Sequence, residues 1–264
     1  MRSVPPARTL GVLGTGWLGA PLAEHLVSQG HRVAGSTTTA GRRAELRSLG
    51  VEPYVVDIGR LSGADPAFFR SEVLIITIPL ASVDDFRELV AAVESSAITS
   101  VLLVSSTSVY PDVDGTIVES DGGESPVNPR VVIERLFQAS GHFRTTVARM
   151  GGLIGYNRHP GRFFGVGKIM RNPDAAVNLI HRDDCIGIVA RIIEQGVWGE
   201  VFNCCADTHP TRRDFYTRAA NSLGLPAPEF APSAANARKI ISNRKVKQVL
   251  KYEFVYPDLM KIAF

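Results

Sequence analysis

The stretch Thr9-Leu10-Gly11-Val12-Leu13-Gly14-Thr15-Gly16-Trp17-Leu18-Gly19 reads as a strand running into a glycine-spaced turn and then a helix. Leu10, Val12 and Leu13 supply the apolar strand, and Leu18, Leu22 and Leu26 recur on one helical face. Gly14 permits the tight turn, Gly16 keeps a side chain out of the path of an approaching phosphate, and Gly19 lets the helix lie close on the strand. The N–H groups of the first helical turn and the helix dipole then face an anion. A turn of this kind holds the diphosphate of a dinucleotide, so Gly14, Gly16, Trp17, Leu18 and Gly19 are the expected cofactor contacts. The alternative is an ordinary strand-turn-helix unit.

Outward from this stretch, apolar strand-like runs alternate with helix-like runs from Leu10 to about Asn203. The expected strands are Leu10 to Leu13, Arg32 to Ser36, Glu52 to Val56, Val73 to Thr77, Val101 to Ser105, Thr145 to Ala148 and Val201 to Asn203. Helices are expected over Leu18 to Gln29, Arg42 to Leu49, Val83 to Glu94, Arg130 to Ala139, Asp183 to Glu194 and Arg212 to Leu223. The alternation implies an α/β fold: a doubly wound parallel sheet of the Rossmann kind. Two stretches break the rhythm, Gly151 to Val177 and everything after Ala206. They are read as a small substrate lobe over the carboxyl ends of the strands, the alternative being a long surface connection. The expected division is residues 1–155 and 178–205 for the nucleotide-binding domain, and 156–177 and 206–264 for the lobe. Near the end, Asn243 to Leu250 has the pattern of an amphipathic helix with Val246, Val249 and Leu250 inward.

The composition fits a folded chain: 45% of the 264 residues are hydrophobic, enough for a full core. A net charge of +3 with no long Lys/Arg run suits an anionic small molecule and argues against nucleic acid. Met1 to Arg8 lacks the apolar core of a secretory signal and no run is long enough to cross a bilayer, so a cytoplasmic protein without membrane contact is expected. Cys185, Cys204 and Cys205 are expected as buried reduced thiols. Histidines are scattered and no Cys-x-x-Cys or His-Glu-x-x-His run occurs, so no metal site is expected.

The end of the second strand carries no Asp or Glu to accept from ribose hydroxyls. It reads Gly35-Ser36-Thr37-Thr38-Thr39-Ala40-Gly41-Arg42-Arg43, hydroxyls followed by two guanidinium groups. Arg grips a phosphate dianion that a carboxylate would repel, which favours NADP over NAD, with Ser36, Thr37, Thr38 and Arg42 as contacts. Arg43 is read equally as a contact or a solvated residue. Asp57 and Ile58 follow the third strand, where they would meet the adenine edge and face, or where Asp57 would merely cap a turn. Ile78 and Pro79 would lie beside the cofactor, with Pro79 ending the fourth strand.

Taken together, the glycine turn, Val56-Asp57-Ile58, Val104-Ser105-Ser106-Thr107-Ser108-Val109-Tyr110, Gly151-Gly152-Leu153-Ile154-Gly155 and Asn178-Leu179-Ile180-His181-Arg182-Asp183-Asp184 resemble the extended short-chain dehydrogenase/reductase superfamily. Within it the chain resembles in particular the atypical proteins called NAD-dependent epimerase/dehydratase-like, and the resemblance covers nearly the whole chain. It implies a hydroxyl, a tyrosine and a lysine acting as one unit during hydride transfer. Ser106 matches the hydroxyl. Counting back from Glu134, the lysine place holds Arg130 and the tyrosine place holds Pro126. Arg130 retains a positive charge for the ribose or phosphate, but proline has no proton to give, and a general acid is worth roughly a hundredfold or more in rate.

Substitute proton donors are Tyr110, Tyr156 and His159, each against a plainer role: Tyr110 as a packing aromatic with its hydroxyl at the surface, and Tyr156 and His159 as parts of a solvated basic loop with Arg158 and Arg162. His181 is read mainly as structural, and Asp183 and Asp184 as favouring the start of the following helix. The sequence therefore points to an NAD(P)-binding oxidoreductase or epimerase/dehydratase-like enzyme acting on a small polar or anionic metabolite. A non-catalytic NADP-binding redox sensor or scaffold is the alternative, and family analogy allows a homodimer.

Overall fold

In the computed structural model, residues 6–79, 82–164, 169–232 and 238–263 are described. A seven-stranded sheet is formed by β1 (Thr9–Leu13), β2 (Arg32–Thr37), β3 (Glu52–Val55), β4 (Val73–Ile76), β5 (Ser100–Ser106), β6 (Arg144–Met150) and β7 (Val201–Cys204). Their order across the sheet is β7-β6-β5-β4-β1-β2-β3. The pairings among β1 to β5 are parallel. This is the doubly wound Rossmann arrangement expected from the alternation. β4, Val-Leu-Ile-Ile, is buried throughout, as a strand covered on both faces must be.

The helices are α1 (Gly19–Ser28), α2 (Arg43–Ser48), α3 (Val83–Glu94), α4 (Pro129–Gln138), α5 (Arg182–Gln195), α6 (Arg212–Asn221) and α7 (Arg244–Val249). Ser82, Asn128 and Thr211 cap α3, α4 and α6 by accepting from N–H groups of the first turn, and Pro129 occupies the first helical position of α4. β4 stops at Ile76, before Pro79, although the Thr77 N–H still donates to the Leu13 carbonyl at 2.9 Å. The strand thus ends without help from the proline.

The chain forms two compact units, one of residues 1–105, 125–148 and 189–201, the other of 106–124, 149–188 and 202–264. The core of the first gathers Leu13, Leu74, Ile76, Phe86, Leu89, Val101, Leu103, Ile133 and Phe137 among others. In the second, Gly152–Ile154 pairs with Leu179–His181, Ile169–Met170 with Glu229–Phe230, and Gly115–Ile117 with Lys239–Ile241. Runs of two or three residues are too short to show a period in sequence, so these pairs leave no local pattern. Ile154, Met170, Val177, Leu179, Phe215, Tyr216, Leu259 and Ile262 form the core of this unit. On α7, Val246 and the following Leu250 are fully buried, but Val249 is 43% exposed, correcting its expected inward placement. The helix is six residues long and turns only one narrow face inward. All three cysteines are buried and free, and burial pushes each thiol up, that of Cys205 to about 12.

Candidate functional site

The turn after β1 is shaped by close backbone approach. Gly14 has φ +97°, and a Cβ there would stand 2.5 Å from Cγ2 of Ile78. At Gly19, the first residue of α1, a Cβ would meet the Gly14 carbonyl oxygen at 2.0 Å and Oγ1 of Thr77 at 2.6 Å. Gly16 differs from both: it is exposed, and a Cβ would meet nothing within 4 Å. Two glycines therefore serve the fold, while the middle one keeps open the space on the outer side of the turn. Leu18 at the entry to α1 is buried in helical conformation, Trp17 is half-buried, no side chain caps the helix, and its first turn holds no acidic residue. An uncapped N-terminus behind an open glycine is a cradle for an anion.

Two of the residues expected as phosphate contacts, Ser36 and Arg42, hold this turn in place. The Gly14 N–H donates to Oγ of Ser36 at 2.8 Å, and the Thr15 N–H and hydroxyl both donate to the Ser36 carbonyl. Ser36 is thus buried and engaged with the turn. Thr37 is also buried, its hydroxyl paired with the backbone of Thr39. Thr38 is exposed. Arg42 reaches back to the turn: Nη1 donates to the Thr15 carbonyl at 2.7 Å, while Nε and Nη2 donate to both oxygens of Glu45. It is not an idle surface side chain. Arg43 is exposed and lines a separate surface hollow with Arg47, Tyr54 and Asp65. Asp57 accepts from the Gly59 N–H and caps the short helical turn Ile58–Gly63, with Ile58 buried beneath it. Pro79 is exposed.

A small hollow of about 20 Å³ adjoins Ile78, lined also by Phe86, Leu103, Val104, Ser105, Arg130 and Ile133. Its wall is apolar apart from one hydroxyl and one guanidinium. Ser105 donates to the buried carboxylate of Glu134, and Arg130 sits in the first turn of α4 with its N–H on Oδ1 of Asn128. Ile78 thus touches both the glycine turn and the hollow that holds Arg130.

Protein YeeZ of Escherichia coli K12 is 33% identical to this chain over 267 residues, spanning 95% of the chain and 97% of YeeZ. The chain belongs to the family of YeeZ, and it shares the fold of NAD-dependent epimerase/dehydratase and short-chain dehydrogenase/reductase proteins. A conserved protein of unknown function from Silicibacter pomeroyi DSS has a solved structure that is 25% identical, covers 96% of both chains and superposes with a TM-score of 0.79. The human epimerase family protein SDR39U1, solved with NADPH, shares the fold at 16% identity, 96% coverage of both chains and a TM-score of 0.72. No family model matches the chain.

Pro126, which the resemblance puts in the tyrosine place, is exposed, and so is Val127 at 82%, just before Asn128. Ser106, at the end of β5, accepts from the Ser108 N–H at 3.1 Å and keeps its own O–H. The three substitute donors fare differently. Tyr110 is buried; its hydroxyl donates to Oδ1 of Asn203 at 2.8 Å and accepts from Nη1 of Arg149 at 2.8 Å. This corrects the expectation of a surface hydroxyl. Burial pushes the phenol up, against the pull of Arg149 and Asn203.

His159 is 9% exposed, with Nδ1 accepting from the Gly161 N–H and Nε2 3.4 Å from the Ser222 hydroxyl. It caps its own turn and packs toward α6, so it is not presented on a solvated loop; burial and then Arg162 lower its pKa. Arg158 and Arg162 are exposed. Tyr156 is 61% exposed, at φ +54°, with its hydroxyl donating to Oδ1 of Asp183 at 2.9 Å and the Arg182 guanidinium 3.7 Å above its ring.

His181 is buried between Tyr156 and Tyr256, and burial lowers its pKa against the opposing charge of Asp183. Asp184 does more than favour a helix start. It is fully buried and accepts from the Tyr252 hydroxyl and the N–H groups of Val255 and Tyr256, anchoring the C-terminal segment. Sequence inspection missed this anchor, as it missed Arg149 and Asn203. Their only signal was a polar type inside an apolar run, which does not name a partner. Among the described residues no group of three or more His, Cys, Asp or Glu side chains stands together as a metal site, and no helix is long and apolar enough to cross a membrane.

Proposed function

We propose that the first unit binds a nicotinamide dinucleotide, NADP(H) in preference to NAD(H), and that the protein is an oxidoreductase or epimerase/dehydratase-like enzyme for a small polar or anionic metabolite. The observation that carries this reading is the open Gly16 in front of an uncapped α1, between two glycines that the fold itself requires. The main chain from Gly14 to Gly19 would receive the diphosphate. Arg42 and the exposed Thr38 would take the 2′-phosphate, with Ser36 serving chiefly to hold the turn and Thr37 to fix the backbone at Thr39. Ile58, Asp57, Ile78 and Pro79 would border the adenosine and the path beyond it.

When bound, the dinucleotide supplies or accepts hydride. Arg130, at the edge of the apolar hollow beside Ile78, would fix the ribose or phosphate by charge without acting as an acid, since a guanidinium does not release its proton. Ser106 would orient a substrate oxygen with the O–H it retains. Of the three nominated donors, Tyr156 is the one with an exposed phenol, and Asp183 orients it. Tyr110 is committed to the buried Asn203 and Arg149, and the buried His159 to the Gly161 N–H of its own turn, which leaves both a structural role.

Calorimetric titration of the folded chain tests the reading. NADPH is expected to bind, more tightly than NADH; NADH binding at least tenfold tighter than NADPH would overturn the choice of cofactor. A second reading, a redox sensor or scaffold without turnover, is favoured by one observation, the proline in the tyrosine place. A sensor would distinguish NADPH from NADP⁺ in binding and consume neither across carbonyl, imine and sugar-nucleotide compounds. Steady substrate-dependent oxidation of NADPH, reduced by Tyr156→Phe, would eliminate it.

A further inference from the structure

Arg42 is held at two points, and only the first, its Nη1 on the Thr15 carbonyl, belongs to the glycine turn. At the second, Nε and Nη2 donate side by side to the two oxygens of Glu45, at 3.0 and 2.7 Å. That pair of parallel N–H groups is the planar fork with which Arg grips either a carboxylate or a phosphate monoester. The carboxylate of Glu45 presents its two oxygens as a phosphate would. Three of the five guanidinium N–H groups are thereby used before any ligand arrives.

We propose that Glu45 is a specificity-determining residue, an internal competitor on the phosphate-gripping fork of Arg42 that limits how far the protein prefers NADP(H) over NAD(H). The proposal rests on the reading that the first unit binds a nicotinamide dinucleotide with Arg42 beside the adenosine ribose. NAD(H) has no phosphate at that place, so its binding is indifferent to where the carboxylate sits. NADP(H) must either displace Glu45 from the fork or tolerate its negative charge beside a dianion. Both reduce affinity. The two side chains are 36% and 54% exposed, so solvent and salt screen the pair and the effect is that of a surface ion pair, about fivefold in binding.

The experiment is calorimetric titration of the full chain, native and as Glu45→Gln, Arg42→Gln and the double variant, with NADPH and with NADH at two salt concentrations. Gln at position 45 keeps a hydrogen-bond acceptor for Arg42 and removes the charge. The expected result is NADPH binding about fivefold tighter in E45Q, NADH unchanged, a steeper fall of NADPH affinity with salt, and no gain in the double variant. An NADPH to NADH affinity ratio that is unchanged or lowered in E45Q overturns the proposal, because Glu45 would then be inert or would serve to orient Arg42. Failure of the underlying reading looks different. Uptake of neither nucleotide by native protein, or NADPH affinity untouched by R42Q, overturns the cofactor assignment and this proposal with it.

Discussion

Adding one methyl group at Gly16 and at Gly19 separates binding from folding. At Gly19 the new Cβ would lie 2.0 Å from a backbone carbonyl oxygen and 2.6 Å from the Thr77 hydroxyl, which itself donates to that carbonyl at 2.6 Å. Backbone cannot swing away as a flexible side chain can, so α1 must shift off β1. Overpacking of this kind costs about 1–3 kcal/mol, and the displaced Thr77 bond adds roughly 1 kcal/mol. At Gly16 the methyl meets no protein atom within 4 Å and the backbone needs no positive φ. Gly16→Ala should therefore leave stability within about 0.5 kcal/mol of native, or raise it by roughly that much through the unfolded chain. Its effect should fall on the ligand: under the proposed assignment of the diphosphate to this turn, a methyl there forfeits a charge-assisted hydrogen bond of about 1.5–3 kcal/mol, a loss of roughly ten- to a hundredfold in affinity. Urea denaturation reads the first quantity and NADPH titration the second. Native-like NADPH binding by G16A would refute the assignment of the diphosphate to this turn, and equal destabilisation of both variants would refute the account of the two glycines.

Two further outcomes follow from the second unit. Tyr110→Phe removes the hydroxyl shared by Asn203 and Arg149, leaving buried polar groups without that partner, and should cost about 1–3 kcal/mol in chemical denaturation; an unchanged midpoint would mean the hydroxyl is not the keystone of the network. Burial lowers the pKa of His159, His181 and His209, so below the unfolded value of 6.5 the unfolded chain binds protons that the folded chain refuses. Stability should accordingly fall as pH drops from about 7.5 toward 5.5, and His209→Gln should flatten that fall as followed by thermal melts; a melting temperature that rises over this interval would contradict the sign.

The order of strands and helices, the glycine turn and the run of hydroxyls ending in Arg42 were all legible in the sequence, because each is a local pattern. A strand of four to seven aliphatic residues, a helical period of Leu18, Leu22 and Leu26, or a glycine that must turn left-handed leaves its mark within a few positions. What the tertiary structure alone decided is which polar side chains are still available for chemistry. Ser36, read as a phosphate contact, spends its hydroxyl on the N–H of Gly14, 22 residues away. Tyr110 finds Asn203, 93 residues on, and Asp184 finds Val255 and Tyr256, 71 and 72 residues on. Hydrogen bonds act over about 3 Å of space regardless of separation along the chain, so a serine, tyrosine or aspartate carries no local sign of whether its partner is another part of the fold or a ligand.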